Sequence, residues 1–299
     1  MKKLFLLLSV LLSTTCLVAR AQSDKDLAIL KSQSLIVVLK DEEPDKLKKL
    51  ARKPDELAAY KAFVESYNTQ IQELAPKIWH FSPSVEFRHE SELAALVKDK
   101  NYQHGVLKHD DFTVMEHVSG GAARGGAVYS AESKTAFLLN IISNGTQRTL
   151  APVPIAPGVV HTSDIIFCLK TLQYQLQERA NGKSSKNIMA ENGKRLRVKT
   201  LLLDEAEVSG KLSPADIKQA YPFPFQIVPR ETIETAVKDA DARYACVRLL
   251  PVSGSMMAQV IMDAADGAIL AMSIGGTGFK SGEVVNKGNL KEFAQAAGK

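Results

Sequence analysis

The chain has 299 residues, of which 45% are hydrophobic and 24% are charged, a composition typical of an ordinary globular protein. At about 100–200 residues per domain, this length predicts two domains. Three of the 38 basic residues lie in the N-terminal leader, so 35 basic and 33 acidic residues remain, and this balance argues against nucleic acid as a partner.

The first residues have the pattern of a signal peptide. Lys2-Lys3 is positively charged, Leu4–Leu12 is mostly apolar, and Ala19-Arg20-Ala21 is a small-x-small cleavage motif. We therefore expect residues 1–21 to be removed before Gln22, which predicts a periplasmic or secreted protein. No later apolar run approaches the ~20 residues that cross a bilayer, so no transmembrane segment is expected after cleavage.

The chain has three cysteines. Lipidation at Cys16 is an alternative to cleavage after Ala21, although Thr14-Thr15 is an unusual approach to a lipidated cysteine. Cys168 and Cys246 each lie within an apolar run, which favours buried free thiols. A disulfide between them stays open, because exported proteins can form disulfides.

Strand and helix patterns alternate through the first half. The branched aliphatic run Ser34–Leu39 predicts a strand that is buried on both faces. From Asp55 to Ile78, apolar residues recur every three or four positions, which predicts a long amphipathic helix. A strand near Val85, a helix from Ser91 and a strand from Tyr102 follow.

The first half is predicted to end in an antiparallel pair. Gly120–Gly126 is a flexible connector, and Val128–Ile142 is a hairpin that turns near Glu132-Ser133-Lys134. Three prolines then mark a boundary between residues 22–160 and residues 161–299: Pro152, Pro154 and Pro157.

The second half repeats this plan. Its predicted elements are a helix at Thr162–Ala180, a polar loop at Asn181–Lys194, a strand at Arg197–Leu203, and a hairpin of Met256–Met262 with Ala268–Met272. Ser163 is expected to cap the first helix, and Ser213-Pro214 to open a short one. Gly267 suits a hairpin turn that requires positive φ.

An internal repeat relates the two halves. Trp79–Leu107 is echoed by Tyr221–Leu249 at an offset of about 140 residues, with slips of two near Pro224 and Asp241. The aligned pairs include Val85–Phe87 with Gln226–Val228, Leu93 with Ile233, and Tyr102 with Tyr244. The sequence therefore predicts an α/β fold of two similar tandem modules. Each has strand-helix-strand-helix-strand order followed by an antiparallel hairpin, with α+β character at the module ends.

Candidate metal ligands occur mainly in the first half, because all six histidines fall between His80 and His161. Three of these histidines lie close to three carboxylates: His104, His109, His117, Asp110, Asp111 and Glu116. Their spacing matches no metal-binding motif, so solvated loop histidines are favoured over a metal site.

Other candidate motifs are incomplete. Ile274–Gly282 lacks the Gly that a phosphate loop places before Lys, and Ser253–Met256 lacks the second Gly of a nucleophile elbow. Asp110-Asp111 and Asp204-Glu205 are interpreted as solvated carboxylates. Five aromatic residues are interpreted as core anchors rather than as a binding platform: Trp79, Phe81, Tyr221, Phe223 and Phe225. No catalytic, cofactor-binding or metal-binding residue is assigned.

The mature chain resembles uncharacterised exported proteins of Gram-negative bacteria through Leu35–Leu39, the long helix to Ile78-Trp79, and Ala220–Phe223. The module plan resembles small α/β domains that bind partner proteins in envelope assemblies. This resemblance implies a non-enzymatic protein that binds another envelope or secreted protein, and it supplies no functional residues. The alternative is a periplasmic small-ligand-binding protein or hydrolase, with its site in the cleft between modules, where pockets often form.

Overall fold

The computed structural model describes residues 24–118, 128–156, 160–253, 256–274 and 284–298. The predicted signal peptide, Cys16 and the Gly120–Gly126 connector lie outside these residues, so these predictions stay predictions. Within the described part of the chain, no helix is both long and apolar enough to span a membrane.

The chain divides into two compact units. In its described part, the first unit contains residues 24–109, 137–153 and 160–182, and the second contains the remainder. The second unit includes Asp110–Ala136, which contains the outer part of a long pair of strands.

The first half forms a five-stranded sheet with helices. Its elements are α1 (Asp24–Ser32), β1 (Leu35–Leu39), α2 (Pro44–Leu50), α3 (Pro54–Ile78), β2 (Val85–His89), a 3-10 turn (Glu90–Glu92), α4 (Leu93–Lys98), β3 (His104–Val118), β4 (Val128–Ser143), β5 (Thr146–Pro154) and α5 (Thr162–Ala180). The strand order is β2-β1-β3-β4-β5, and β1 is parallel to both of its neighbours. Leu35 of β1 lies opposite Val85 of β2 and Gly105 of β3.

The core of the first unit forms around β1, whose five residues are all buried. Helix α3 buries one stripe at three- and four-residue spacing: Tyr60, Val64, Tyr67, Ile71 and Ala75. Leu93 of α4 packs with Ile36 of β1 and Val106 of β3. The predictions of a buried aliphatic strand and of a long amphipathic helix are confirmed.

The second half forms a second five-stranded sheet. Its elements are α6 (Ser185–Gly193), a 3-10 turn (Lys194–Arg197), β6 (Thr200–Asp204), α7 (Pro214–Ala220), β7 (Phe225–Val228), α8 (Arg230–Lys238), β8 (Tyr244–Ser253), β9 (Met256–Asp263), β10 (Ile269–Ile274) and α9 (Lys287–Ala296). The order is β7-β6-β8-β9-β10; β6 is parallel to both neighbours, and β9 is antiparallel to β8 and β10. Ser213 caps α7 and Pro214 follows it, as predicted.

Both sheets have the same strand order: the second strand at one edge, then the first, third, fourth and fifth. The prediction of an α/β fold with two similar tandem modules is therefore confirmed. A hairpin follows the parallel part of the second sheet, where Gly267 has the predicted positive φ of 75° in the turn between β9 and β10.

Strand register corrects the alignment of the repeat. Leu201 lies opposite Phe225 and Ala245, just as Leu35 lies opposite Val85 and Gly105. Val85 is therefore equivalent to Phe225 rather than to Gln226, and Gly105 is equivalent to Ala245. The slip predicted near Asp241 holds in the turn, where the Tyr102 and Tyr244 backbone N–H groups donate to the carbonyl oxygens of Asp99 and Asp241. It does not extend into the strands, where the offset is 140 residues. In contrast, the loop before β7 is two residues shorter than the loop before β2, as predicted near Pro224.

Two predicted elements are wrong for identifiable reasons. Val128–Ser143 is one continuous strand, and the turn comes after it, at Asn144-Gly145. Both turn residues have positive φ (53° and 74°), which a two-residue hairpin turn requires, whereas polar residues such as Glu132–Lys134 can remain within a strand. Asn181–Lys194 is not a loop, because it contains α6, capped by Ser184.

Helix α5 matches the predicted Thr162–Ala180, but it has a different cap. His161 is the cap residue, and its backbone N–H donates to the Asp164 carboxylate at 2.8 Å, so Ser163 is already helical. Helix α5 packs against α3 within the first unit. The boundary predicted at residue 160 separates the two copies of the internal repeat, and it stays a prediction.

Candidate functional site

The carboxyl ends of the parallel strands are a candidate location for a site. In open α/β sheets, ligands bind outside this edge, beside the strand where the order reverses. In the first unit the edge follows β1, β2 and β3, and in the second it follows β6, β7 and β8. Both edges carry ionisable side chains.

In the first unit, Asp41 lies two residues beyond β1. One carboxylate oxygen is 2.7 Å from Nδ1 of His89, and the other accepts the backbone N–H of Ser91 at 2.9 Å. Burial acts to raise the pKa of Asp41, but these contacts outweigh it and hold the pKa below its ordinary value. Asp41 thus ties the loop after β1 to the segment after β2.

Lys40, beside Asp41, is held by several groups of the same unit. Its Nζ donates to the carbonyl oxygen of His109 at 3.1 Å and lies 5.7 Å from the centre of the Tyr67 ring. Its backbone exchanges two hydrogen bonds with the Asn68 side chain, at 2.8 and 3.0 Å. These contacts dock the chain after β1 onto α3.

The two described histidine side chains of β3 are not solvated in a loop, so that interpretation is wrong for both. His109 is buried, with its ring centre 5.6 Å from that of Tyr67 and 5.3 Å from that of Phe137. His104 is half-buried and stacks on Tyr102 at 4.1 Å, and burial lowers the pKa of His104. The reason is that β3 begins at His104, so both residues belong to a strand.

No cluster of three His, Cys, Asp or Glu residues suited to a metal occurs among the described residues. The side chains of Glu116 and His117 lie outside the described part. Asp111 is exposed and accepts a hydrogen bond from the Thr135 hydroxyl at 2.9 Å.

In the second unit, Asp204 ends β6. It is buried, which corrects its interpretation as a solvated carboxylate. One oxygen accepts the Ala206 backbone N–H at 2.9 Å, and the other lies 2.9 Å from Nη2 of Arg230, at the start of α8. Arg230 also pairs with Glu207. The central position of β6 explains this burial, which the residue pair Asp204-Glu205 alone does not indicate.

Burial raises the pKa of Glu207, even though Arg230 acts to lower it. Burial acts to lower the pKa of Arg230, but the carboxylates of Glu207 and Asp204 outweigh it, so the pKa of Arg230 is raised. Arg230 is thus held as a cation between two carboxylates.

The two edges share a geometry. Asp41 lies six residues beyond Leu35, and Glu207 lies six residues beyond the equivalent Leu201. Each carboxylate pairs with a side chain at or just beyond the end of the second strand of its sheet, His89 or Arg230. These pairs tie neighbouring chain segments together, which supports a structural role for both edges.

The predicted aromatic anchors lie mainly in the core. Trp79, Phe81 and Tyr221 are buried, so their interpretation as core anchors is confirmed, whereas Phe223 and Phe225 are half-buried. Trp79 packs edge-on against Phe81 at 6.4 Å, and Tyr221 packs the same way against Phe223 at 5.4 Å.

The predictions about reactive side chains have different outcomes. Cys168 and Cys246 are buried thiols that form no disulfide, as the sequence favoured, and burial raises the pKa of Cys168 well above its ordinary value. The centre of the Ser253–Met256 motif and the Gly-rich residues 275–283 lie outside the described residues, so their interpretations stay predictions.

A groove in the second unit has a different chemical character from the two edges. Helices α6 and α9 both pack against the outer strand β10, and residues from all three elements line a groove of about 470 Å³. Its lining includes three basic and three large apolar residues: Lys186, Lys194, Arg197, Met189, Leu270 and Met272.

The charges in this groove are available to a partner. Lys186 and Lys194 are exposed, and neither forms a salt bridge with a described residue. Arg197 donates through Nε to the Ala297 carbonyl at 2.6 Å and through Nη2 to the Gly298 carbonyl at 3.0 Å. Because carbonyls carry no net charge, the guanidinium charge is not neutralised there.

A recess of about 560 Å³ in the first unit is a weaker candidate. Its buried carboxylate, Asp26, already pairs with Arg148. The groove, with its basic side chains, is therefore the stronger candidate for binding.

Comparison of the chain with protein-family models, curated proteins and solved structures gives no significant match. Sequence reasoning missed the groove because it assigned Asn181–Lys194 to a loop. The signal was present: Ser184 is a good cap residue, and Ile188, one turn later, is buried.

Proposed function

We propose that this chain is an exported, non-enzymatic protein that binds another envelope or secreted protein through the groove between α6, β10 and α9. The contrast between the groove and the two strand edges carries the proposal. Asp41, Asp204 and Glu207 are engaged by side chains of their own unit. Lys186 and Lys194 instead extend to solvent beside an exposed methionine.

Export is supported by the leader pattern of Lys2-Lys3, Leu4–Leu12 and Ala19-Arg20-Ala21. The signal is specific because charged, apolar and small-residue regions follow one another at the usual spacing.

A protein partner is supported by the composition of the groove. Methionine and arginine are enriched at protein interfaces, and flexible methionine side chains adapt to a partner's shape. A volume of about 470 Å³ also falls within the range of small-ligand pockets, so composition rather than size favours a protein.

Site-specific photocrosslinking in cells that naturally produce this protein tests the proposal. A photoreactive amino acid at position 189, in place of Met189, should give a discrete adduct with one protein of the envelope or medium. That protein, once identified by mass spectrometry and purified, should bind the unmodified chain in solution. The same amino acid in place of exposed Lys238, in the same unit, is the control. The same set of adducts from both positions would contradict a specific role for the groove.

A further inference from the structure

The groove is positively charged. Lys186 extends from α6, while Lys194 and Arg197 belong to the 3-10 turn that follows, and the described residues lining the groove include no carboxylate. A carboxylate does lie close by, at Glu191; it pairs with Lys183 at 2.8 Å, and Lys194 also acts to lower its pKa, so the three basic side chains of the groove and Lys183 outnumber it. This arrangement favours a negatively charged partner, because complementary charge steers association and fixes the bound register.

The groove is also apolar at its floor. Met189 is 36% exposed, and Leu270 and Met272 of β10 line the same space. An acidic segment without apolar side chains would leave Met189 in water. An apolar segment without acidic side chains would desolvate the lysines without neutralising them, which is unfavourable.

We infer that the groove receives an acidic stretch of the partner protein in which aspartates or glutamates flank large apolar side chains. This inference rests on the proposed function and adds the chemical class of the bound segment. The carboxylates lie against Lys186, Lys194 and Arg197, and the apolar side chains contact Met189 and Met272.

The binding test uses two synthetic peptides and the mature chain with isotope-labelled methionine methyl groups. One peptide has a Leu-Phe pair flanked on both sides by glutamates, and the other has lysines in place of the glutamates. Titration with the glutamate peptide should shift the methyl signals of Met189 and Met272 in a saturable way. Met257, near the start of β9, does not line the groove and should be unaffected. The lysine peptide should cause no saturable shift.

A charge-matched pair of variants tests the basic side chains. Lys186→Glu with Lys194→Glu should weaken binding of the glutamate peptide by at least about tenfold. Lys211→Glu with Lys238→Glu changes two exposed lysines of the same unit and should alter the affinity by less than about twofold. Equal affinities for the two double variants, with both folded by circular dichroism, would overturn the inference.

The apolar requirement has its own test. Replacing the Leu-Phe pair of the glutamate peptide with two serines should abolish the shifts of Met189 and Met272. Unchanged binding of the serine peptide would overturn the apolar part of the inference. Decanoate is a further probe: if decanoate shifts both signals saturably and the glutamate peptide does not, the groove binds a small amphipathic anion instead.

Failure of this inference can be distinguished from failure of the proposed function. If the crosslink from position 189 persists in the Lys186→Glu and Lys194→Glu double variant, a protein partner binds but not through its acidic side chains. If position 189 gives no specific adduct, the proposed function fails, whatever the peptides do.

Discussion

At the scale of single residues, Asp263 shows how this protein accommodates a buried charge. Its carboxylate lies 2.9 Å from Nζ of Lys199 and also pairs with Arg195. The side chain of Asp263 is fully buried, and that of Lys199 is only 9% exposed. The three side chains fasten the 3-10 turn before β6 to the end of β9. A buried charge is tolerated only when partners of this kind replace water.

Replacing this carboxylate should be costly. Asp263→Asn leaves the buried Lys199 without a countercharge, so we expect the free energy of unfolding to fall by about 3–5 kcal/mol. Urea denaturation measures the change. Asp266→Asn is the matched control, because Asp266 pairs with the same Arg195 at 2.9 Å but is 42% exposed, and it should cost less than about 1 kcal/mol. Equal losses would show that burial does not set the cost.

The Asp41 pair should have a pH-dependent effect. Since the pKa of Asp41 in the folded protein lies below its ordinary value of 3.8, its stabilising contribution is present above pH 3.8. This contribution is lost as the pH falls through the lower, folded-state pKa. Asp41→Asn should therefore lower the free energy of unfolding at neutral pH, by at most about 1 kcal/mol because the pair is partly exposed.

The check is urea denaturation of the parent chain and the Asp41→Asn variant at neutral pH and at successively lower pH values below 3.8. The difference in unfolding free energy should shrink towards zero as Asp41 becomes protonated. A difference that stays constant over this range would mean that the carboxylate charge is not what stabilises the loop.

At the scale of elements, Gly193 allows the end of α6 to approach α9 closely. A Cβ atom at this position would overlap the carbonyl oxygen of Ala296 and would lie 3.4 Å from the carbonyl oxygen of Leu270. Both oxygens belong to the backbone, so neither can rotate away as a side chain does. The groove therefore depends on a residue without a side chain at the end of α6.

Gly193→Ala should force α6 and α9 apart. We expect the free energy of unfolding to fall by about 1–3 kcal/mol, the usual cost of overpacking, as measured by urea denaturation. Gly210→Ala is the matched control, because a Cβ at Gly210 meets no atom within 4 Å. It should change stability by less than about 0.5 kcal/mol. A neutral Gly193→Ala would contradict the close approach.

At the scale of the whole molecule, two sheets share one strand order although few residues are identical between the halves. Leu93 and Ile233 are equivalent in this plan, and both are buried, at 8% and 7% exposure. What the two halves share is the order of apolar and polar positions, which determines the faces that each helix and strand must bury.

Truncation of either equivalent residue should affect its own unit. Leu93→Ala and Ile233→Ala should each cost about 2–5 kcal/mol, because a cavity replaces buried methyl groups. Hydrogen exchange should show reduced protection in β1 and β3 for the first variant, and in β6 and β8 for the second. Glu234→Ala, one position from Ile233, should change little, whereas Glu92→Ala also removes the hydrogen bond that the His89 backbone N–H donates to Glu92. Equal loss of protection in both units from either variant would contradict this expectation.

Local patterns in the sequence determined much of the fold. The run Leu35–Leu39, the apolar spacing of α3, the Ser213-Pro214 helix start and the hairpin around Gly267 were all predicted, because each depends on residues that are close in sequence. The repeat predicted two similar modules for the same reason, since the order of apolar and polar positions follows directly from the chain. The prediction of a signal peptide, too, depends on the sequence alone.

Only the tertiary structure decided which residues meet across the fold. Strand register placed Val85 opposite Leu35 and corrected the alignment of the repeat, because a shift of one residue changes the face of every side chain. The burial of Asp204 depends on the central position of its strand in the sheet. The groove joins Met189 to Met272, residues far apart in sequence that are brought together by the packing of α6 on β10. Such contacts depend on long-range packing, which no local pattern of the chain specifies.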